Sequence, residues 1–284
     1  MNKIKLKEIL DNFKGDYTEL YDEVTVVSHD MNQFDSDYYD EIVYVFLFMF
    51  NYKYGIDKLS KNGIIPRLFG KVESYDEFKL LLNKYKEIDF HNDLLPNEFN
   101  LFDEIWRLAE VKLLNRDSWT KIYASAITER EVKEDGKLYV SVDNKDLYQF
   151  ALKFFIRCLE KGIKDCEFKV NNDERVTRRD NVVIYFTKEN LNLYLEAIRE
   201  IIQEIPDIKI NEGHLLGYEI EPGIAMARDY KDGNSYTEKF CKAMIVLKEK
   251  RVPNQQLVEL LEQSSSKYLG DLIAMVNPGA PTLK

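Results

Sequence analysis

The sequence predicts an α+β fold, with a helical N-terminal half packed against a mixed or antiparallel sheet with flanking helices, on three observations. Through the first 130 residues apolar positions recur at steps of three and four, as in YDEFKLLLNKYKEI, where Phe78, Leu81, Leu82 and Tyr85 share one face. From about residue 131 the pattern changes to alternation, in KLYVSV, FKV and NVVIYF. Long helical runs separate these strands in the order strand, helix, strand, strand, helix, which departs from the regular alternation of a parallel sheet and suggests helices on one side of the sheet. Two regions follow, a helical one over 1–130 and an α+β one over 131–284.

Taken in order, MNKIKLKEILDNF is an amphipathic helix with no apolar core of the secretory kind. IVYVFLFMF at 42–50 is too short to span a bilayer and reads as a buried helix. The aromatic-rich first region is either helix–helix packing or a peptide-binding groove. NGIIPRLFG and FHNDLLPNEFN carry the Gly, Pro and Asn residues that end helices. Asp135-Gly136 reads as a hairpin turn between a charged strand and KLYVSV. NKDLYQFALKFFIRCLEKG is a helix with Asp143 or Asn144 as N-cap, Leu147, Phe150, Phe154 and Cys158 inward, and Gly162 as its stop. KENLNLYLEAIREIIQEIP repeats the pattern with Leu191, Tyr194, Ile198, Ile201 and Ile205. A glycine-rich, partly strand-like stretch follows, then the helix TEKFCKAMIVLKEK and one last helix.

Of the 284 residues 45% are hydrophobic and 13% aromatic, with seven prolines, so the chain can bury a core and is expected to fold. A net charge of −10 speaks against general nucleic-acid binding, which needs a basic face, but leaves room for a local basic pocket. Cys158, Cys166 and Cys241 lack metal-ligand spacing and there are only three histidines, so neither metal nor cofactor is expected and the thiols read as reduced and buried. The expected setting is cytoplasmic, without a membrane.

Alternation places the chemistry. With Leu138, Val140 and Val142 on one face of KLYVSV, Lys137, Tyr139 and Ser141 fall on the other, and Phe168 and Val170 likewise turn Lys169 outward. The loop between Lys169 and NVVIYF adds Arg175, Arg178 and Arg179. If the two strands are near each other, lysine point charges and an arginine fork suit a phosphate dianion. Crowded cations also depress a lysine pKa, and a neutral lysine is a base. With a tyrosine as proton donor, the set fits β-elimination of phosphate from phosphoserine or phosphothreonine. Blander readings exist for each residue: lysines on a solvated sheet face, arginines paired with Asp173, Glu174 and Asp180, Tyr139 as a packing residue. His214 is an alternative acid or an ordinary loop histidine. Gly217, Gly223 and Gly233 either shape an anion-binding loop or form turns.

These segments resemble a known group. From about 136 to 245, KLYVSVDNKDLYQFALKFF, FKVNNDERVTRRDNVVIYF, IEPGIAMARD and, more weakly, NSYTEKFCKAMI are similar to the HopA family of type III effectors and to the lyase components of class V lanthipeptide synthetases. More remotely they resemble the OspF/SpvC phosphothreonine lyases. The resemblance implies Lys169 as general base, Lys137 as the lysine that binds phosphate and stabilises the intermediate, and Tyr139 as the acid. It implies Arg178 or Arg179 as the phosphate-binding arginine, with Arg179 fitting the Arg-Asp pattern. Where the family shows Ser-Phe-Gly and then an arginine, this chain has Thr237 and Phe240, and Lys239 or Lys242 stands as the substitute. A phosphorylated peptide or protein substrate and a separate kinase are the implied partners. The alternative is a non-catalytic effector or phosphopeptide-binding module.

Overall fold

A computed structural model of the chain describes residues 2–30, 115–116, 119–123, 135–161, 163, 166–173, 175–228 and 235–278. Its strands are β1 (Val26–Ser28), β2 (Asn115–Arg116), β3 (Trp119–Tyr123), β4 (Gly136–Val140), β5 (Glu167–Asn171), β6 (Thr177–Arg178), β7 (Val182–Phe186), β8 (Tyr218–Glu221) and β9 (Ile224–Arg228). Its helices are α1 (Lys3–Asn12), α2 (Tyr17–Thr25), α3 (Leu147–Glu160), α4 (Leu191–Glu204), α5 (Tyr236–Glu249) and α6 (Asn254–Val276). Seven strands form one sheet in the order β2-β3-β5-β7-β4-β9-β8, and β1 and β6 form a separate two-stranded ladder. Every pairing among the described residues is antiparallel, so the fold is α+β.

The strand alternation sorts side chains as the sequence requires. Leu138, Val140, Phe168, Val170, Val182 and Ile184 enter one core with Phe150 and Phe154 of α3 and Tyr194 and Ile198 of α4. Each such side chain, fully buried, contributes on the order of 1.5–3 kcal/mol. Tyr139, Val183 and Ala227 face the other way into a second core, with Leu6 of α1, Leu20 of α2 and Phe240 and Met244 of α5. Helices therefore cover both faces of the sheet, not one. α6 contributes Leu257 and Leu261 to the second core and Leu269 and Leu272 to the first, passing over β8 and β9. None of the described helices is long and apolar enough to cross a membrane.

Three other expectations change. β1, β2 and β3 fall within the first 130 residues, and β3 joins the main sheet beside β5, so the sheet begins before residue 131. Gly136 is not a turn residue but the first of β4, paired with Phe186 and Arg228. A β-carbon there would come 2.6 Å from the Phe186 ring and 2.7 Å from the Ala227 carbonyl, which is why glycine stands at that position. Asp143 caps a short 3-10 turn, Asn144–Asp146, ahead of α3 rather than α3 itself. YDEFKLLLNKYKEI, IVYVFLFMF, NGIIPRLFG, FHNDLLPNEFN, Gly162, Gly233 and the charged strand expected before Asp135 lie outside the described residues.

Candidate functional site

Register across the sheet builds the site. Lys121 of β3 stands opposite Lys169 of β5, Lys169 opposite Val183 of β7, and Val183 opposite Tyr139 of β4. The next row, two residues along, aligns Glu167, Tyr185 and Lys137. Paired residues project from the same face, so Lys121, Lys137, Lys169, Glu167 and Tyr139 share the face opposite the first core. Lys137 and Lys169 are thus brought together with β7 between their strands.

Aromatic rings order the cations. The Lys169 ammonium lies 4.0 Å from the centre of the Trp119 ring. Lys121 and Lys137 lie 5.0 and 5.1 Å from the Tyr185 ring. The Arg178 guanidinium lies 5.5 Å from Trp119 and 5.8 Å from Tyr21. Such contacts attract the cation to the ring's negative face. Arg178 donates to Asp180, Nε to Oδ1 at 2.9 Å and a second N–H to Oδ2 at 3.4 Å. Lys121 pairs with Glu167. Lys169 has no ion pair with any described residue. Its pKa is lowered to about 8, first by burial, against the pull of Asp180 and with the repulsion of Lys137, Arg178 and Lys121. Asp180 is buried, which by itself would raise its pKa, but Arg178, His214 and Lys169 together hold it below the usual carboxylate range.

His214 is the residue whose role the sequence left open, and it stacks on Tyr139 at 4.3 Å with 14° between the rings. Its Nδ1 accepts from the Gly217 N–H at 3.1 Å, so the ring proton is on Nε2, which donates to Thr237 Oγ1 at 2.7 Å. Burial lowers its pKa to about 4, with Asp180 opposing and Arg178 and Arg179 adding to the shift. The imidazole is therefore neutral and committed at both nitrogens. It backs Tyr139, which is only 3% exposed, and does not itself present a proton.

Two of the sequence-derived residues stand elsewhere. Arg179 is 4% exposed. Its guanidinium donates to the Glu23 and Val26 carbonyls and, at 3.3 Å, to Glu212. It ties α2 and β1 to the body, while its neighbour Arg178, paired in the β1–β6 ladder with Val26, turns to the lysines. Lys242 projects from α5 with an exposed side chain and pairs with Glu238 at 2.6 Å. Arg175 pairs with Asp173 at the surface. Thr237 is held by His214, and Phe240 is in the second core. Gly223 makes the β8–β9 turn with φ of +78°, and the described cysteines are buried thiols. Among the described residues no group of side chains could hold a metal ion.

Sequence reasoning missed Lys121, Trp119 and Tyr185, and it had Asp180 as a partner of the loop arginines, which is how Arg178 uses it. The signal for the first two was present in SWTKIY, a run rich in β-branched and aromatic residues inside a stretch read as helical. Among the described residues the assembled set holds four cations, Lys121, Lys137, Lys169 and Arg178, and two carboxylates, Glu167 and Asp180.

No protein-family model matches the chain, and no curated protein matches its sequence. Two effector proteins are among the solved structures that share its fold. The effector protein from Pseudomonas syringae pv. syringae strain 61 aligns with a TM-score of 0.52 and 11% identity, over 93% of this chain and 92% of that one. The effector protein from Pseudomonas syringae pv. tomato strain DC3000 aligns with a TM-score of 0.50 and 13% identity, over 99% of this chain and 96% of that one. At such identities the likeness is one of fold.

Proposed function

We propose that the chain is a phosphoserine/phosphothreonine lyase-like protein that eliminates phosphate from a phosphorylated peptide and leaves a dehydroamino acid. The observation that carries this reading is Lys169, a half-buried amine with a pKa near 8, with no ion pair to any described residue and set among Lys121, Lys137 and Arg178. Neutral Lys169 takes the α-proton, and the electron pair left behind forms the Cα=Cβ bond as the Cβ–O bond breaks. The phosphate departs with the electrons of that bond and takes up a proton; the sequence resemblance implies Tyr139 as its donor, a role that requires α1 and α2 to uncover a phenol now 3% exposed in the second core. Lys137 and Arg178 bind the phosphate oxygens and offset charge that develops on the substrate carbonyl. A separate kinase would supply the phosphate ester, and a lanthipeptide-type precursor is the substrate class that the sequence resemblance favours.

A second reading, a phosphopeptide-binding module without catalysis, is supported by Thr237 and Phe240. Both are buried at positions where the resembled families place a glycine and an arginine, and Lys242 is engaged with Glu238. Phosphate release measured together with thiol trapping separates these readings. Elimination yields phosphate and a thiol adduct on the peptide in equal amounts. Phosphate without an adduct means hydrolysis, and neither product means binding alone.

A further inference from the structure

Like charges set directly opposite each other across an antiparallel pair are destabilising, because their β-carbons approach to about 5 Å. Lys121 and Lys169 are such a pair, on adjacent strands with no residue between them. A sheet that keeps this opposition breaks a local rule of stability, and such violations mark functional positions. Lys121 also pairs with Glu167, which is 8% exposed, and its ammonium shares the Tyr185 ring with Lys137. It belongs to the cation set by position, by its ring contact and by its effect on Lys169.

We infer that Lys121 is a further residue of the anion site, a phosphate ligand opposite Lys169, with Glu167 as the carboxylate that the incoming phosphate displaces. The inference rests on reading this face as a phosphate site. It assigns two roles that no motif in the chain announces. Lys121 adds to the repulsion that lowers the Lys169 pKa, and Glu167 occupies Lys121 until a dianion competes for it. A bound phosphate neutralises the repulsion that Lys121 exerts on Lys169.

Two measurements on the full-length protein test this, and neither requires turnover. Acetylation of Lys169, followed by peptide mass spectrometry across pH, gives the midpoint of its ionisation. Binding of a phosphothreonine peptide, with its unphosphorylated form as control, gives the affinity. Lys121→Met is expected to move the Lys169 midpoint upward and to weaken phosphopeptide binding about tenfold, the effect of one charge-assisted contact. Lys121→Arg, which restores the charge, should return the midpoint toward wild type. Glu167→Gln, which removes the competing carboxylate, should tighten binding several-fold, and it keeps the inference testable if Lys121→Met does not fold.

An unchanged midpoint and affinity in folded Lys121→Met overturns the inference. So does weaker binding in Glu167→Gln. If Lys121→Met shifts the midpoint but the wild-type protein binds the phosphopeptide no better than its control, the phosphate reading itself is removed, and with it the ligand role of Lys121.

Discussion

Lys169 carries an energetic cost that its surroundings do not remove. Its folded pKa of about 8 lies below the ordinary 10.5, so between these values the unfolded chain holds the proton and the folded one does not. Stability therefore rises with pH through that window, and the penalty is full below pH 8. Lys169→Met, which keeps the aliphatic stem, should stabilise the protein at pH 7 by up to about 3 kcal/mol, measured by denaturant unfolding, while abolishing elimination. The reaction should show the matching profile. A base that acts when neutral gives kcat/KM that climbs with pH and levels off above about 8, since the phosphate is already a dianion above about pH 6. Asp180 tests the same balance from the other side: it raises the Lys169 pKa, so Asp180→Asn should move the rise in kcat/KM to lower pH. It should also cost about 3–5 kcal/mol, because Arg178 then loses its carboxylate in a largely buried position.

At the level of elements, the site exists because β7 lies between β5 and β4 and because a β-strand alternates without exception over these five-residue lengths. The same regularity made Lys137, Tyr139 and Lys169 legible in the sequence, since which face a residue takes depends only on its neighbours in the chain. The helices α3 and α4 were legible for a similar reason, the 3.6-residue spacing of Phe150, Phe154, Tyr194 and Ile198. What alternation does not give is which strand lies beside which. β4 pairs with β7 and β9, and β5 with β3 and β7, through contacts remote in sequence. The choice between Arg178 and Arg179 was hidden for the same reason. It is set by β6, two residues long, whose register against β1 decides which arginine turns toward Lys169.

Turns and supports make their own predictions at this scale. Gly223 has a left-handed φ, and a β-carbon there would stand 2.1 Å from Ile210 Cγ2 and 2.8 Å from the Asn211 carbonyl. Gly223→Ala should destabilise by on the order of 1–3 kcal/mol, read from thermal unfolding. Thr237→Val removes the acceptor of the His214 Nε2–H and should cost about 1–3 kcal/mol by leaving a buried donor unpaired.

Across the whole molecule, charge is arranged against its average. A chain of net charge −10 gathers Lys121, Lys137, Lys169 and Arg178 in one place, so a small anion would be attracted locally while polyanions are repelled over the rest of the surface. Residues 2–28 belong to this arrangement. α1 and α2 close the second core over Tyr139 and Val183, and Glu212 gathers Asn2, Lys5 and Arg179. Arg179→Ala would take this donor from the Glu23 and Val26 carbonyls and leave Glu212 to Asn2 and Lys5. It should lower stability by about 2–4 kcal/mol and speed amide exchange in residues 2–28 first.

The central claim is that Lys169, among these cations, removes a proton from a phosphorylated residue. A phosphothreonine peptide incubated with the wild-type protein and with Lys169→Met, and weighed by high-resolution mass spectrometry, tests it most directly. The expected result is a peptide lighter by one phosphoric acid with wild type and an unchanged peptide with the variant. An intact phosphopeptide with both proteins, or equal elimination by both, would contradict the account.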